Sequence, residues 1–237
     1  MSTNADGGGG QEEQRVEAFA AAIRDGRRDA VESALAQDLA LAATRGPDGV
    51  SLVLTAYYHG RPEFAELLLE HRDALDVFEA AASGDLAELR RVLAADPGLV
   101  DARSPDGFTP LHLAAFLGRP RAVRVLLAQG ADADSVAGNP SAVTPLHSAA
   151  ASRRADVVRV LLAGGADPDA RQAGGFTALQ SAALHGDVAM TTALLAHGAD
   201  PALAAEDGRD ALAMARESEA ASVAGLLQDR VRVLGPG

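Results

Sequence analysis

A threonine and a histidine three residues apart, Thr109 and His112 in GFTPLHLAAFLG, bring a hydroxyl and an imidazole together at a predicted helix start. Such a pair is active-site material, a nucleophile beside its base. The same phrase returns as VTPLHSAAASRR, with Thr144 and His147, and as GFTALQSAALHG, with Thr177 and Gln180. An active site is rarely written three times in one chain, whereas a repeating structural unit always is. Histidines stacked one unit apart are also raw material for a metal site, but Gln180 interrupts the row and no carboxylate has matching spacing. The pairing therefore reads as architecture, with Thr109 and Thr144 holding the turn that starts each helix.

The other reactive side chains fare no better as catalysts. Tyr57, Tyr58 and His59 place two phenols and an imidazole in sequence, the best candidate for a pocket. His71 and His197 fall at helix C-termini, where an imidazole suits the dipole. The acid pairs Glu12–Glu13 and Asp132/Asp134 read as surface or turn residues. No G-x-S-x-G, H-E-x-x-H or phosphate-cradling glycine loop follows a strand-forming run.

Composition narrows the classes further. The 237 residues contain no cysteine, which excludes thiol nucleophiles, disulfides and thiolate metal sites. All 21 basic residues are arginine, so a P-loop lysine and Schiff-base chemistry are excluded too. The net charge of −12, with acids interspersed among the arginines, argues against a nucleic-acid partner. No apolar run is long enough for a membrane span, and the polar start lacks a signal-peptide pattern, so a cytoplasmic protein is expected. The Arg-, Ala- and Leu-rich usage is of the kind found in GC-rich bacterial genomes.

The elements that carry these residues recur with a period of about 33. Glu17, Ser51, Leu75, Thr109, Thr144, Thr177 and Asp210 open the units at spacings of 34, 24, 34, 35, 33 and 33. Nine residues after each stands a glycine or a polar substitute: Gly26, Gly60, Gly84, Gly118, Arg153, Gly186 and Glu219. Each unit predicts two short helices, the first Ala-rich (LHLAAFL) and the second with an apolar stripe (AVRVLLAQ), closed by the turn phrase GADAD or GADPD. Residues 1–11 read as a flexible tail, 12–74 as divergent units, 75–232 as regular units with a polar C-terminal cap, and 233–237 as a tail. The step from Ser51 to Leu75 is ten residues short, which predicts a missing finger and a notch near 70–76.

The phrase DGFTPLHLAAFLGRPRAVRVLLAQGADAD resembles an ankyrin repeat closely over Asp106–Asp200 and more weakly over 12–105. The resemblance implies an all-α ankyrin-repeat solenoid of about seven helix pairs, with one shortened unit and polar end caps. It implies that His112 and His147 bond to backbone and tie adjacent repeats together. It also implies a non-enzymatic interaction module that binds a protein partner through a concave face, with no cofactor or metal, and with self-association through the same groove as a variant of that reading.

Positions that the repeat leaves variable would line that face: Tyr58, His59, Phe108, Phe116, Leu117, Ser152, Phe176, Leu184, His185 and Arg209. Phe116 and Leu184 stand out, because their units already have filled cores and the fold does not require them to be apolar. The rival reading is a small-molecule or catalytic pocket at the shortened unit, near Tyr57, Tyr58 and His59.

Overall fold

Short amphipathic helices of seven to ten residues cannot hold themselves together in water, so each must borrow an apolar surface from its neighbours. The computed structural model, which describes residues 7–234, shows how they do so. Contacts divide the chain into two compact units, Met1–Glu79 and Ala80–Gly237.

The first unit contains α1 (Gly7–Asp25), α2 (Arg28–Gln37), α3 (Leu52–Tyr58) and α4 (Pro62–Leu69), with a 3-10 turn at Leu39–Ala43. Helix α1 packs on α2 and α3, and α3 packs on α4. Phe19, Ile23, Val31, Leu52, Phe64 and Leu68 fill the interior. Residues 1–6 of the expected N-terminal tail lie outside the described residues. Gly7–Gln11, also expected in that tail, instead form the start of α1.

Helix α5 (Val77–Ser83) spans the division between units. The second unit continues with α6 (Leu86–Ala95), α7 (Pro110–Phe116), α8 (Pro120–Ala128), α9 (Pro145–Ala151) and α10 (Ala155–Ala163). It ends with α11 (Ala178–Leu184), α12 (Val188–Ala196), α13 (Ala211–Glu217) and α14 (Ala221–Leu234). Val233 and Leu234, expected in the C-terminal tail, are thus helical, and 235–237 lie outside the described residues. Of the described residues, only Arg45 and Ser51 form a β-bridge, an isolated one.

The first helices α7, α9, α11 and α13 pack side by side in chain order, and so do the second helices α6, α8, α10, α12 and α14. Alanine makes the close approach of the first helices feasible: Ala114, Ala149, Ala182 and Ala215, at equivalent positions, are all fully buried. Leu126, Leu161 and Leu194 bury the stripe of the second helices, each contributing about 1.5–3 kcal/mol.

The turn between the two helices of each pair needs a left-handed residue, and all seven predicted positions have positive φ. Five are glycine, which adopts that conformation freely. Arg153 (φ 59°) and Glu219 (φ 58°) adopt it with a side chain.

The shortened step takes the form expected of a missing finger. Residues 70–76 run from α4 to α5 without a hairpin. The frame is displaced by one residue here, because Asp76 rather than Leu75 caps α5: its Oδ1 accepts from the amides of Phe78 (2.9 Å) and Glu79 (2.8 Å).

Candidate functional site

Thr109 and His112 do meet at the start of α7. His112 Nδ1 lies 2.8 Å from the Thr109 hydroxyl and 3.3 Å from the Thr109 amide. His112 Nε2 lies 3.0 Å from the carbonyl oxygen of Val143, one repeat further on. A carbonyl only accepts, so Nε2 carries the proton and Nδ1 is left to accept from both Thr109 groups. The hydroxyl–imidazole distance would suit a nucleophile and base, yet Thr109 is 0% and His112 1% exposed, and no substrate reaches them.

His147 repeats the arrangement, with Nδ1 2.9 Å from the Thr144 hydroxyl and Nε2 3.1 Å from the Phe176 carbonyl. Gln180 reproduces it in amide chemistry. Its Oε1 accepts from the Thr177 amide at 2.8 Å, and its Nε2 donates to the Arg209 carbonyl at 2.9 Å. The three residues form one structural row that fastens each repeat to the next. Burial holds His112 well below its ordinary pKa, at about 4, and the charge of Arg103 and the neighbouring His147 act in the same direction. Burial lowers His147 as well.

The acidic turn phrases form a second row. The Asp132 amide donates to Asp101 (3.1 Å), that of Asp167 to Asp134 (2.9 Å) and that of Asp200 to Asp169 (2.9 Å). Asp132 and Asp134 are therefore staples between successive turns. The fingers are clamped by arginine: Arg103 donates to the Val136 carbonyl at 2.7 Å, and Arg171 to that of Ala204 at 3.1 Å. Among the described residues, no group of three or more His, Asp and Glu side chains could hold a metal ion.

In the second unit the variable positions fall into three rows. The last residue of each first helix is Phe116, Ala151, Leu184 and Glu217, all exposed, with Phe116 at 38% and Leu184 at 49%. Next to them stand Leu117, Ser152 and His185. Leu117 is half-buried, Ser152 donates to the Ser148 carbonyl at 2.7 Å, and His185 lies 2.8 Å from the Ser181 carbonyl. The residue before each cap is Phe108, Val143, Phe176 and Arg209, all half-buried. Phe108 tilts against the His112 ring at 5.8 Å, so part of its apolar surface serves the finger. Arg209 is engaged by Asp207 (2.7 Å) and Glu217 (2.8 Å).

In the first unit Tyr58 and His59 take the same two positions at the end of α3. Tyr58 is half-buried, and His59 Nδ1 is 3.0 Å from the Thr55 carbonyl. Tyr57 is a core residue, 7% exposed, whereas His59 is exposed. The groove beside the short connection is formed by Leu39, Ala43, Glu70, His71 and Asp73 with their neighbours, and it includes none of Tyr57, Tyr58 and His59.

What sequence reading missed is the ion pair that replaces the absent finger. Glu79, fully buried, accepts from Arg72 at 2.7 Å and from the Asp76 amide at 3.1 Å. Arg72 also reaches the Ala74 carbonyl at 3.2 Å and that of Ala42 at 3.4 Å. The available signal was a glutamate at the third helical position, where its carboxylate closes a capping box.

This row-by-row bonding defines a repeat protein, and comparison with known proteins specifies which. The chain belongs to the ankyrin-repeat family. Residues 77–172 match Ankyrin repeats (3 copies), and residues 174–206 match a further Ankyrin repeat. Among curated proteins it is similar to Probable E3 ubiquitin-protein ligase XBOS31 of Oryza sativa subsp. japonica, 44% identical over 63 residues. That match covers 26% of this chain and 14% of the relative. It is also similar to Ankyrin repeat domain-containing protein 49 of Homo sapiens, 42% identical over 57 residues, 24% of each chain. The similarity thus spans a quarter or less of either relative's length. No helix among the described residues is long and apolar enough to cross a membrane.

Proposed function

We propose that this protein is a non-enzymatic interaction module that binds a segment of another protein on its first-helix face, the face that is concave in ankyrin repeats. The observation that carries the reading is the pair Phe116 and Leu184, large apolar side chains left exposed at equivalent positions two repeats apart. Fully buried leucines already fill the cores of both repeats, so the exposed pair is surplus to folding. Leu117, Ser152, His185, Phe108, Phe176 and Arg209 would surround it, and Tyr58 and His59 hold the matching positions of the first unit. A preorganised stack loses little entropy on binding, and apolar anchors supply most of the affinity.

The double variant Phe116→Asp with Leu184→Asp tests the reading. Both sites lie on the surface at helix ends, so helical circular dichroism should be retained. Binding of a protein captured by the wild type should weaken by about 2 kcal/mol or more. A folded variant that keeps every such protein at full affinity would overturn the proposal. Light scattering of the free protein separates a foreign partner from a second copy of this chain.

A further inference from the structure

We infer that the outward face of the second helices in the second unit docks an extended acidic peptide whose carboxylates recur at every third residue. This does not rest on the first-helix reading, since the side chains are on other helices. In α6, α8 and α10 the fifth residue after the N-cap is Arg90, Arg124 and Arg159, respectively. All three are exposed, and none makes an ion pair or hydrogen bond among the described residues. Two arginines nearby are engaged: Arg91 is held by Glu88 at 2.8 Å, and Arg119 donates to the Ala82 carbonyl at 2.9 Å. On a chain of net charge −12, three unpaired guanidinium groups thus recur at one register of successive second helices.

Their surroundings fit a chain laid across the helices. One turn beyond each arginine stands an exposed alanine, Ala94, Ala128 or Ala163, so a backbone can approach without obstruction. Between α8 and α10 the surface dips into a groove lined by Pro120, Arg124, Leu127, Arg159 and Val160. Asp156, which also lines it, is the one acid there.

Spacing identifies the ligand. Packed helices lie about 8–10 Å apart, and a chain extended in the polyproline II conformation advances about 3.1 Å per residue with three residues per turn, so side chains three apart share one face. Carboxylates three residues apart therefore match successive arginines, whose forked donors suit bidentate binding. A nucleic acid is disfavoured, because the net negative charge repels a polyanion at long range and three cations neutralise few phosphates.

The test is fluorescence anisotropy of labelled peptides added to the full chain. One peptide carries glutamates at i, i+3 and i+6; a second has the same composition with adjacent glutamates; a third has glutamine in their place. The first should bind saturably, better than the second, and lose affinity between about 0.05 and 0.5 M salt as charges are screened. The third should not bind. Replacing one arginine with alanine should cost roughly threefold, and Arg90→Ala with Arg124→Ala and Arg159→Ala about thirtyfold together. Asp156→Ala should tighten binding, while Phe116→Asp with Leu184→Asp should leave it unchanged. The proposal is overturned if the wild type shows no saturable binding or if the adjacent-glutamate peptide binds equally. It is also overturned if the triple variant, helical by circular dichroism, binds as well as the wild type, or if single-stranded oligo-dT binds more tightly than the peptide.

Discussion

The histidine row makes stability depend on pH in a way that can be calculated. His112 is neutral in the folded protein, with its pKa lowered from 6.5 to about 4. Because the folded value is the lower one, the stabilisation is fully present above about pH 6.5. It is lost as pH falls, since the unfolded chain takes up a proton that the folded chain refuses. Relative to pH 7.5, His112 alone should cost about 2 kcal/mol at pH 5 and about 3 kcal/mol at pH 4. His147 shifts in the same direction and adds to the loss.

Gln180 supplies the control within the same molecule. An amide at this position satisfies the cap amide and the next repeat's carbonyl without titrating. The variant His112→Gln with His147→Gln should therefore fold at pH 7.5 and lose much less stability than the wild type between pH 7.5 and 5. Urea melts followed by helical circular dichroism at several pH values measure this directly. Carboxylates titrate equally in both proteins, so the difference between the two profiles isolates the histidines. Parallel profiles would refute the assignment of His112 and His147 as neutral links. His112→Ala should cost about 1–3 kcal/mol at pH 7.5 by leaving the Thr109 amide and the Val143 carbonyl unpaired, and this cost relative to the wild type should shrink as pH falls, because the variant no longer carries the titrating imidazole.

Three further outcomes follow from the packing. Glu79→Ala should destabilise the first unit by about 3–5 kcal/mol, because it leaves Arg72 without its buried partner; denaturant melts with a probe in that unit would show it. Arg153→Gly should raise stability by roughly 0.5–1 kcal/mol through relief of its positive φ, an effect a melting curve can detect. Gly107→Ala should do the opposite, costing about 1–3 kcal/mol, since φ is +88° and a Cβ there would lie 2.8 Å from the backbone of Gly138.

The sequence alone determined the fold class and repeat frame, because each rests on local chemistry repeated many times. Thr109, Thr144 and Thr177 cap helices within three residues of themselves, and the left-handed turns at Gly60, Gly84, Gly118 and Gly186 need only their own φ. The same locality exposed Phe116 and Leu184 as apolar residues without a place in the core. At the shortened unit the local signals were weaker, and the cap fell on Asp76 rather than Leu75.

What tertiary structure alone decided lies between repeats. Whether the Thr109–His112 pair is reachable depends on burial by neighbouring units, which spacing does not report. The Asp101–Asp132, Asp134–Asp167 and Asp169–Asp200 staples join residues 31 or 33 apart in sequence, and each aspartate looks like a solvated charge until its partner amide is placed. The Arg72–Glu79 pair became visible only once the missing finger brought the two side chains inside. Arg90, Arg124 and Arg159 are scattered among acids in the linear chain and fall into register only because stacking sets helices side by side. Propensity and capping act over three or four residues, whereas a partner's identity is fixed by which distant residues the stack brings within a hydrogen bond's length.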